Sequence, residues 1–380
     1  MDSSPRYDVP SRPGAWIPLK RLLRRVVQPS LPRPAPIPTA GPRYPFAPYP
    51  RGWYTVGFSE DVAPGQHRTV QVLGEEWVLW RSVEGRAALT DPICPHLGAD
   101  LGQGVVDGEA LRCPMHAFCF DATGACTRTG YGTRTPPRLR ARTLPLVERA
   151  GFLFYFHDPD GGDPEWALPE FDAAVEGPSE CALFRMGTHV QDIAENTVDI
   201  GHFAATHGYQ DVTPRAPVAA APRVLRSSYT LHRSAEIYGS VSERIRVELD
   251  VALHGLGLYE LRGTTTPGEI RTYFVFAATP VTPDQLDFRV RMWVPEVARP
   301  EAMGALFARL PSLPRLWLIR KSVRLAVLVD VQEDAEILNR KRYIPRPGLA
   351  QGDGDIGIFR RWARQFYKVD GAGDGDEVST

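Results

Sequence analysis

The chain has no run of about 18 consecutive apolar residues, so it contains no sequence suited to a bilayer-spanning helix. It also lacks a signal-peptide pattern, and its five cysteines, Cys94, Cys113, Cys119, Cys126 and Cys181, are few and odd in number. The expectation is a cytoplasmic protein in a reducing compartment, where cysteine binds metal or packs as a small apolar group. Charge of one sign is missing as well. Lys and Arg number 44 against 45 Asp and Glu, and the net charge of −1 offers nucleic acid no general attraction. No G-x-G-x-x-G loop follows a clear strand, which argues against a flavin or NAD site within this chain.

What is present fits a soluble globular protein. The 380 residues are 43% hydrophobic and 23% charged, enough for two domains. Residues 1–48 read as a tail. A basic-apolar stretch with Leu22, Leu23, Val26 and Val27 beside Lys20, Arg21, Arg24 and Arg25 leads into a proline-crowded run. That composition suits extended chain, with one short amphipathic turn able to rest on an anionic membrane or a partner. Residues 49–159 read as short antiparallel strands punctuated by glycine. Residues 160–380 mix a helical stretch near 190–206, alternating strands over about 223–294, and helices over about 300–342. The expected class is α+β, an all-β first domain followed by an antiparallel sheet with helices on one face.

The chemistry concentrates in two stretches. "CPHLGADLGQGVVDGEALRCPMH" puts Cys94 and His96 on one loop and Cys113 and His116 on another. Zinc would accept two thiolates and two imidazoles. The tight Cys-x-His of the first loop suits a Rieske [2Fe–2S] cluster better, because there each loop gives one Cys and one His, and the two irons divide the thiolates from the imidazoles. Pro95 and Pro114 stiffen these loops, and Gly98, Gly102 and Gly104 permit the turns.

With this motif the chain from about residue 50 to 367 resembles the oxygenase component of a Rieske non-haem iron oxygenase. The second stretch, "AENTVDIGHFAATHGY", supplies Glu195, Asn196, Asp199, His202 and His207, and its Asp-x-x-His-x4-His is similar to the family's iron-binding pattern. On a helix turning about 100° per residue, His202 and His207 would stand about 140° apart, so the helix must distort or end near Ala205–Thr206 if both bind one Fe(II). The resemblance implies a third, carboxylate ligand far downstream. In "DVQEDAEILNRKRY" it aligns best with Asp334; Asp330 is the runner-up, and Glu333 and Glu336 read as a solvated helix face. The chain's end, "NRKRYIPRPGLAQGDGDIGIFRRWARQFY", resembles 3-ketosteroid 9α-hydroxylases and cholesterol 7-desaturases, with Leu338 where those usually carry Trp.

The resemblance implies a helix-grip catalytic domain, a [2Fe–2S] cluster and mononuclear Fe(II), O2 as co-substrate, and electrons from a ferredoxin or ferredoxin reductase drawing on NAD(P)H. It also implies a homotrimer in which Asp199 bridges His202 and His116 of the partner subunit. Glu195 and Asn196 are expected beside the reaction. The substrate it implies is a steroid- or sterol-like polycyclic lipid, to be hydroxylated or desaturated. Tailoring of an aromatic or polycyclic secondary metabolite and a pure electron carrier stay open. Peripheral membrane contact is expected of the segment "LPSLPRLWLIRKSVRLAVLV" together with the tail, and a core helix with a basic edge is the alternative for that segment. His67, His157, His189, His232 and His254 read as structural or solvent-facing.

Overall fold

A computed structural model of the chain describes residues 43–234 and 244–367. The basic stretch carrying Leu22, Leu23, Val26 and Val27 lies outside the described residues. The first part contains β1 (Gly52–Phe58), β2 (His67–Val72), β3 (Glu75–Arg81), β4 (Ala87–Thr90), β5 (Val105–Asp107), β6 (Ala110–Arg112), β7 (Cys119–Asp121), β8 (Cys126–Arg128), β9 (Thr143–Leu144), β10 (Val147–Arg149) and β11 (Phe152–His157). These pair antiparallel in three sheets, ordered β1-β11-β10, β2-β3-β4-β9 and β5-β6-β7-β8. Val78, Trp80, Leu101, Leu111, Phe118 and Phe120 form a small core that also encloses Cys94 and Cys113. The indole N–H of buried Trp80 donates to Thr90 Oγ1 at 2.9 Å, so this core holds no unpaired indole.

The second part runs β12 (Ser179–Met186), α1 (Val190–Glu195), α2 (Ile200–Ala205), β13 (Gln210–Ala221), β14 (Val224–Ser234), β15 (Arg244–His254), β16 (Leu258–Thr266), β17 (Ile270–Thr282), β18 (Gln285–Val297), α3 (Ala305–Ala308), α4 (Ser312–Leu338) and α5 (Ile356–Ala363). Its seven strands make one sheet, ordered β12-β18-β17-β16-β15-β14-β13. Strands β13 to β18 form a meander, and β12 returns beside β18 along the whole of its length. Together with α4, which packs on β12 and β18, this is the α+β architecture expected.

Two expectations need correction. The sheet reads in sequence as apolar on one face and polar on the other, yet β17 is apolar on both. Tyr273, Val275 and Ala277 face a cluster with Trp53, Phe152 and Phe154 of the first part, whereas Phe274 and Phe276 face α4. A strand covered on both sides loses the polar half of its alternation. The two parts are also tied through the Thr279 hydroxyl: Thr55 N–H donates to Thr279 Oγ1 (3.2 Å), which in turn donates to Thr55 O (2.9 Å). The helical stretch near 190–206 is two short helices with a break at residues 196–199. The break is held from outside, because Ser227 Oγ and Tyr229 OH of β14 both donate to Thr197 O, at 3.0 and 2.8 Å.

Candidate functional site

The two cysteine loops share one main-chain plan. Cys94 N–H donates to Ala99 O (2.8 Å) and Gly98 N–H donates back to Cys94 O (2.9 Å); Cys113 N–H donates to Phe118 O (2.8 Å) and Ala117 N–H to Cys113 O (3.1 Å). Each loop turns through a left-handed residue four positions after its cysteine, Gly98 at φ 79° and Ala117 at φ 55°. The two thiols are buried, at 1% and 3% exposure, and lie within hydrogen-bond reach of each other. Outside them the rings of His96 and His116 lie 5.0 Å apart by centroid, and His96 stacks on Phe118 at 4.1 Å. Inner thiols and outer imidazoles are the donor set a Rieske cluster divides between its irons. Burial, with the Cys113 thiol adding to it, pushes the Cys94 thiol up to about 11. Its proton therefore has to be displaced as metal binds.

The second donor set depends on the break before α2. Asp199 is the N-cap, its Oδ1 accepting from His202 N–H at 3.2 Å, which fixes His202 in the first turn. The helix ends at Ala205, so His207 lies beyond its last turn and is free of the 140° problem. The two rings stand 5.2 Å apart at 78°. Asp334 approaches from α4, its Oδ1 3.3 Å from His207 Nε2. Ligand atoms of His202, His207 and Asp334 all lie within 4.8 Å of one another, a two-imidazole, one-carboxylate set that fits an iron(II) ion with positions to spare.

Each imidazole is also held from behind. His207 Nδ1 is 3.0 Å from Glu333 Oε2, and His202 Nδ1 is 2.5 Å from the main-chain oxygen of Asp199. Burial pulls the His207 imidazole down, but Asp334 and Glu333 outweigh it and hold it up at about 10. Burial holds His202 below its ordinary value. The set opens on a cavity of about 240 Å³ between the sheet and α4, lined among others by Leu231, Ile245, Val247, Leu249, Phe274 and Phe276. Small-molecule sites start at about 300 Å³, so this cavity is a modest one.

Not every residue goes where the sequence suggests. Asn196 lines the cavity, but Glu195 does not. Glu195 is buried against Arg360, at 2.6 and 3.0 Å, with Lys341 at 3.4 Å. Its partner lies 165 residues away in α5, which is why the local motif misleads. The Asp199 carboxylate meets the main-chain N–H of His202 and not its ring, correcting that half of the expected bridge. Glu333 is no solvated acid: residues 330, 333 and 334 share a helix face, and that face is turned to His207. Asp330 is taken by Arg233, at 2.7 and 3.3 Å, and by Tyr209 OH at 2.8 Å. Cys119 is buried with Arg128 Nη2 3.3 Å from its sulfur, while Cys126 and Cys181 are half-exposed and not buried as expected. His67, His157, His189, His232 and His254 neither line the cavity nor join a donor set among the described residues.

Comparison with known proteins agrees with both centres. Residues 52–137 match the Rieske [2Fe-2S] domain, and residues 155–367 match the 3-ketosteroid 9alpha-hydroxylase C-terminal domain. A probable 3-ketosteroid-9-alpha-monooxygenase oxygenase component of Rhodococcus rhodochrous is 28% identical over 341 residues, covering 84% of this chain and 80% of its own. A cholesterol 7-desaturase of Bombyx mori is 28% identical over 339 residues, covering 84% and 70%. Among solved structures, dicamba monooxygenase bound to dicamba aligns with a TM-score of 0.57 at 19% identity over 83% of this chain and 96% of that one. The Pseudomonas putida CBB5 protein NdmA with caffeine aligns at 0.62 and 16% identity over 82% and 89%. These two share the fold. With its C-terminal domain matched over more than half of its length, behind a Rieske domain, the chain belongs to the 3-ketosteroid 9α-hydroxylase family and is a Rieske non-haem iron oxygenase with a [2Fe–2S] cluster and a mononuclear iron.

Proposed function

We propose that this oxygenase takes electrons from a separate ferredoxin or ferredoxin reductase fed by NAD(P)H and uses O2 to hydroxylate or desaturate a steroid- or sterol-like polycyclic lipid. The observation that carries the reading is the set His202, His207 and Asp334, with donor atoms within 4.8 Å, opening on an apolar wall. The similarity to steroid and sterol enzymes of Rhodococcus rhodochrous and Bombyx mori supports the substrate class. The cluster, held by Cys94, His96, Cys113 and His116, supplies single electrons, and the mononuclear iron, held by His202, His207 and Asp334, supplies a site for dioxygen activation.

The protein's own part is positioning. Glu333 fixes the His207 ring through Nδ1, turning Nε2 toward Asp334. Asn196 offers a neutral amide at the cavity wall near His202. The phenylalanine and aliphatic side chains exclude bulk water and hold a hydrocarbon skeleton against the metal set. A fused-ring substrate must displace some of them as it enters a space of about 240 Å³. That volume favours a second reading, a smaller aromatic or polycyclic secondary metabolite.

The oxygenase is proposed to work as a head-to-tail homotrimer in which Asp199 accepts a hydrogen bond from His116 of the partner subunit. The exposed Leu97 and Met115 beside the cluster histidines, at 66% and 61%, support a docked cluster edge. No helix of the described residues is long and apolar enough to cross a membrane. Exposed Leu313 and Trp317 in α4 support peripheral contact of a cytoplasmic enzyme with a membrane surface.

Turnover of a steroid and sterol panel with a surrogate reductase tests the reading, with products identified by mass. A gain of one oxygen marks hydroxylation and a loss of two hydrogens desaturation. If only small aromatics are converted, the second reading stands in its place.

A further inference from the structure

The metal set joins two distant segments, His202 and His207 around α2 and Asp334 in α4, and Asp334 stands about one helical turn before the end of α4 at Leu338. The last carbonyls of a helix lack intrahelical partners, and a final turn opens readily unless something outside it holds it. A carboxylate on that turn keeps its distance from His207 only while the turn keeps its place.

What holds it comes from the stretch ahead of β1 that reads in sequence as a tail. Pro45, Pro48 and Pro50 restrict the backbone of "RYPFAPYP", residues 43–50, and this segment lies against the second part of the chain. The Phe46 ring rests 4.8 Å from His189 and 4.6 Å from Tyr343, and Tyr44 OH meets Thr188 Oγ1 at 3.1 Å and Asp192 Oδ2 at 3.2 Å. Arg43 reaches further. Its guanidinium donates from Nε to Lys341 O at 2.6 Å, from Nη2 to Leu338 O, and from Nη1 to Gly187 O in the turn between β12 and α1. One planar cation thus ties two carbonyls at the end of α4 to that turn, and its charge complements the negative end of the helix.

Two further contacts follow the same line. Gly187 N–H donates to Asn339 Oδ1 at 2.6 Å, just past the helix end, and Lys341 Nζ lies 3.3 Å from Asp192 and 3.4 Å from Glu195 of α1. Because α1 leads through the break into α2, these bonds run between the two segments that supply the metal set.

We propose that Arg43 is a positioning residue for the mononuclear iron: it holds the final turn of α4, and with it Asp334, at the reach that His202 and His207 require. The proposal rests on the reading of Asp334 as the third ligand. It gives the segment ahead of the first domain a part in the chemistry of the second.

The test uses full-length, cluster-loaded protein and two measurements: iron(II) retained against a graded chelator under anaerobic conditions, and amide hydrogen exchange over residues 335–341 after the mononuclear iron is stripped. In Arg43→Ala, iron affinity should fall about tenfold or more and those amides should exchange about tenfold or more faster, because hydrogen bonds from a charged donor are lost, with cluster absorbance per chain unchanged. Arg43→Lys keeps the charge but not the fork of donors, and should fall between. Tyr44→Phe removes the same segment's hydrogen bonds to Thr188 and Asp192 but none to α4, and should keep wild-type iron affinity. Wild-type iron affinity in Arg43→Ala would overturn the proposal. So would an equal loss in Tyr44→Phe, since the iron would then follow the docking of the whole segment. Should Arg43→Ala not accumulate as folded protein, Arg43→Lys decides by the same measurements, at a threshold of about threefold. Asp334→Ala separates the two readings: if it keeps its iron, the ligand assignment has failed and the positioning role falls with it, and if it loses iron while Arg43→Ala does not, only the role of Arg43 has failed.

Discussion

His207 and Glu333 meet at 3.0 Å, Nδ1 to Oε2, on the side of the imidazole turned away from Asp334. A carboxylate behind a ligand histidine fixes its orientation and tautomer, and its loss commonly weakens metal binding about 10- to 100-fold. Glu333→Ala should therefore lose mononuclear iron to a chelator at least about tenfold more readily than the wild type while keeping the cluster absorbance. Glu333→Gln, which still offers an oxygen, should fall between. Equal iron retention in all three would show that the contact does not position the ring.

Gly130 gives the second cluster loop its room. A Cβ there would lie 2.0 Å from His116 O and 2.9 Å from His116 C, main-chain distances that cannot be relieved by a rotamer change. Gly130→Ala should shift the His116 loop and lower the cluster's visible absorbance per chain, with mononuclear iron retained. Full cluster occupancy in that variant would mean the loop is looser than its contacts indicate.

The Glu195–Arg360 pair joins α1 to α5, with side chains 6% and 15% exposed. Removing Arg360 takes away the nearer partner of this buried carboxylate and leaves Lys341 at 3.4 Å, at a cost of about 2 kcal/mol. Arg360→Ala should lose stability of that order in urea titrations. A loss below about 1 kcal/mol, the range of exposed pairs, would return Glu195 to the list of residues acting on substrate.

How much of this is readable in the sequence follows from distance along the chain. The cluster loops are legible because Cys94, His96, Cys113 and His116 lie on two short loops of fixed spacing. His202 and His207 are legible for the same reason, and Asp334 through its place relative to the chain's C-terminal pattern. Glu195 is misread because Arg360 comes from a distant helix, and Glu333 because the helix phase of α4 shows only once His207 is seen against it. The break at residues 196–199 depends on hydroxyls of Ser227 and Tyr229, and the two-faced burial of β17 on the first domain covering it. Neither is a local property.

Acid should act through His189. It is 2% exposed and caps α1, accepting Gln191 N–H at Nδ1 (3.1 Å) while Nε2 faces Ala47 O at 3.3 Å. Burial holds its pKa down at about 4. The folded state thus keeps it neutral and the unfolded chain, at about 6.5, takes up the proton first. Its contribution is complete above about pH 6.5 and is lost as pH falls toward 4, amounting to about 2 kcal/mol between pH 7 and 5. His189→Asn should be less stable than the wild type at pH 7 but show a shallower fall to pH 5 in denaturant midpoints. Parallel pH profiles would remove His189 as a source of the acid sensitivity.

Asp199 is tested by the electron path. If it bridges His202's helix to His116 of the partner subunit, Asp199→Ala should keep both metals and the oligomer but transfer electrons from cluster to iron far more slowly in a single turnover. Cluster reoxidation at the wild-type rate, with substrate and O2 present, would send the path elsewhere.

The central claim is that one chain holds two separate iron centres, with Asp334 and not Asp330 completing the second. Iron quantification with electron paramagnetic resonance of the reduced cluster addresses it directly, applied to the wild type, Asp334→Ala and Asp330→Ala. The account predicts about three irons per chain in the wild type, two of them in a cluster with a rhombic Rieske signal, and about two in Asp334→Ala with that signal intact. Retention of all the iron by Asp334→Ala together with its loss from Asp330→Ala would contradict it, as would a wild-type protein that is colourless and contains zinc.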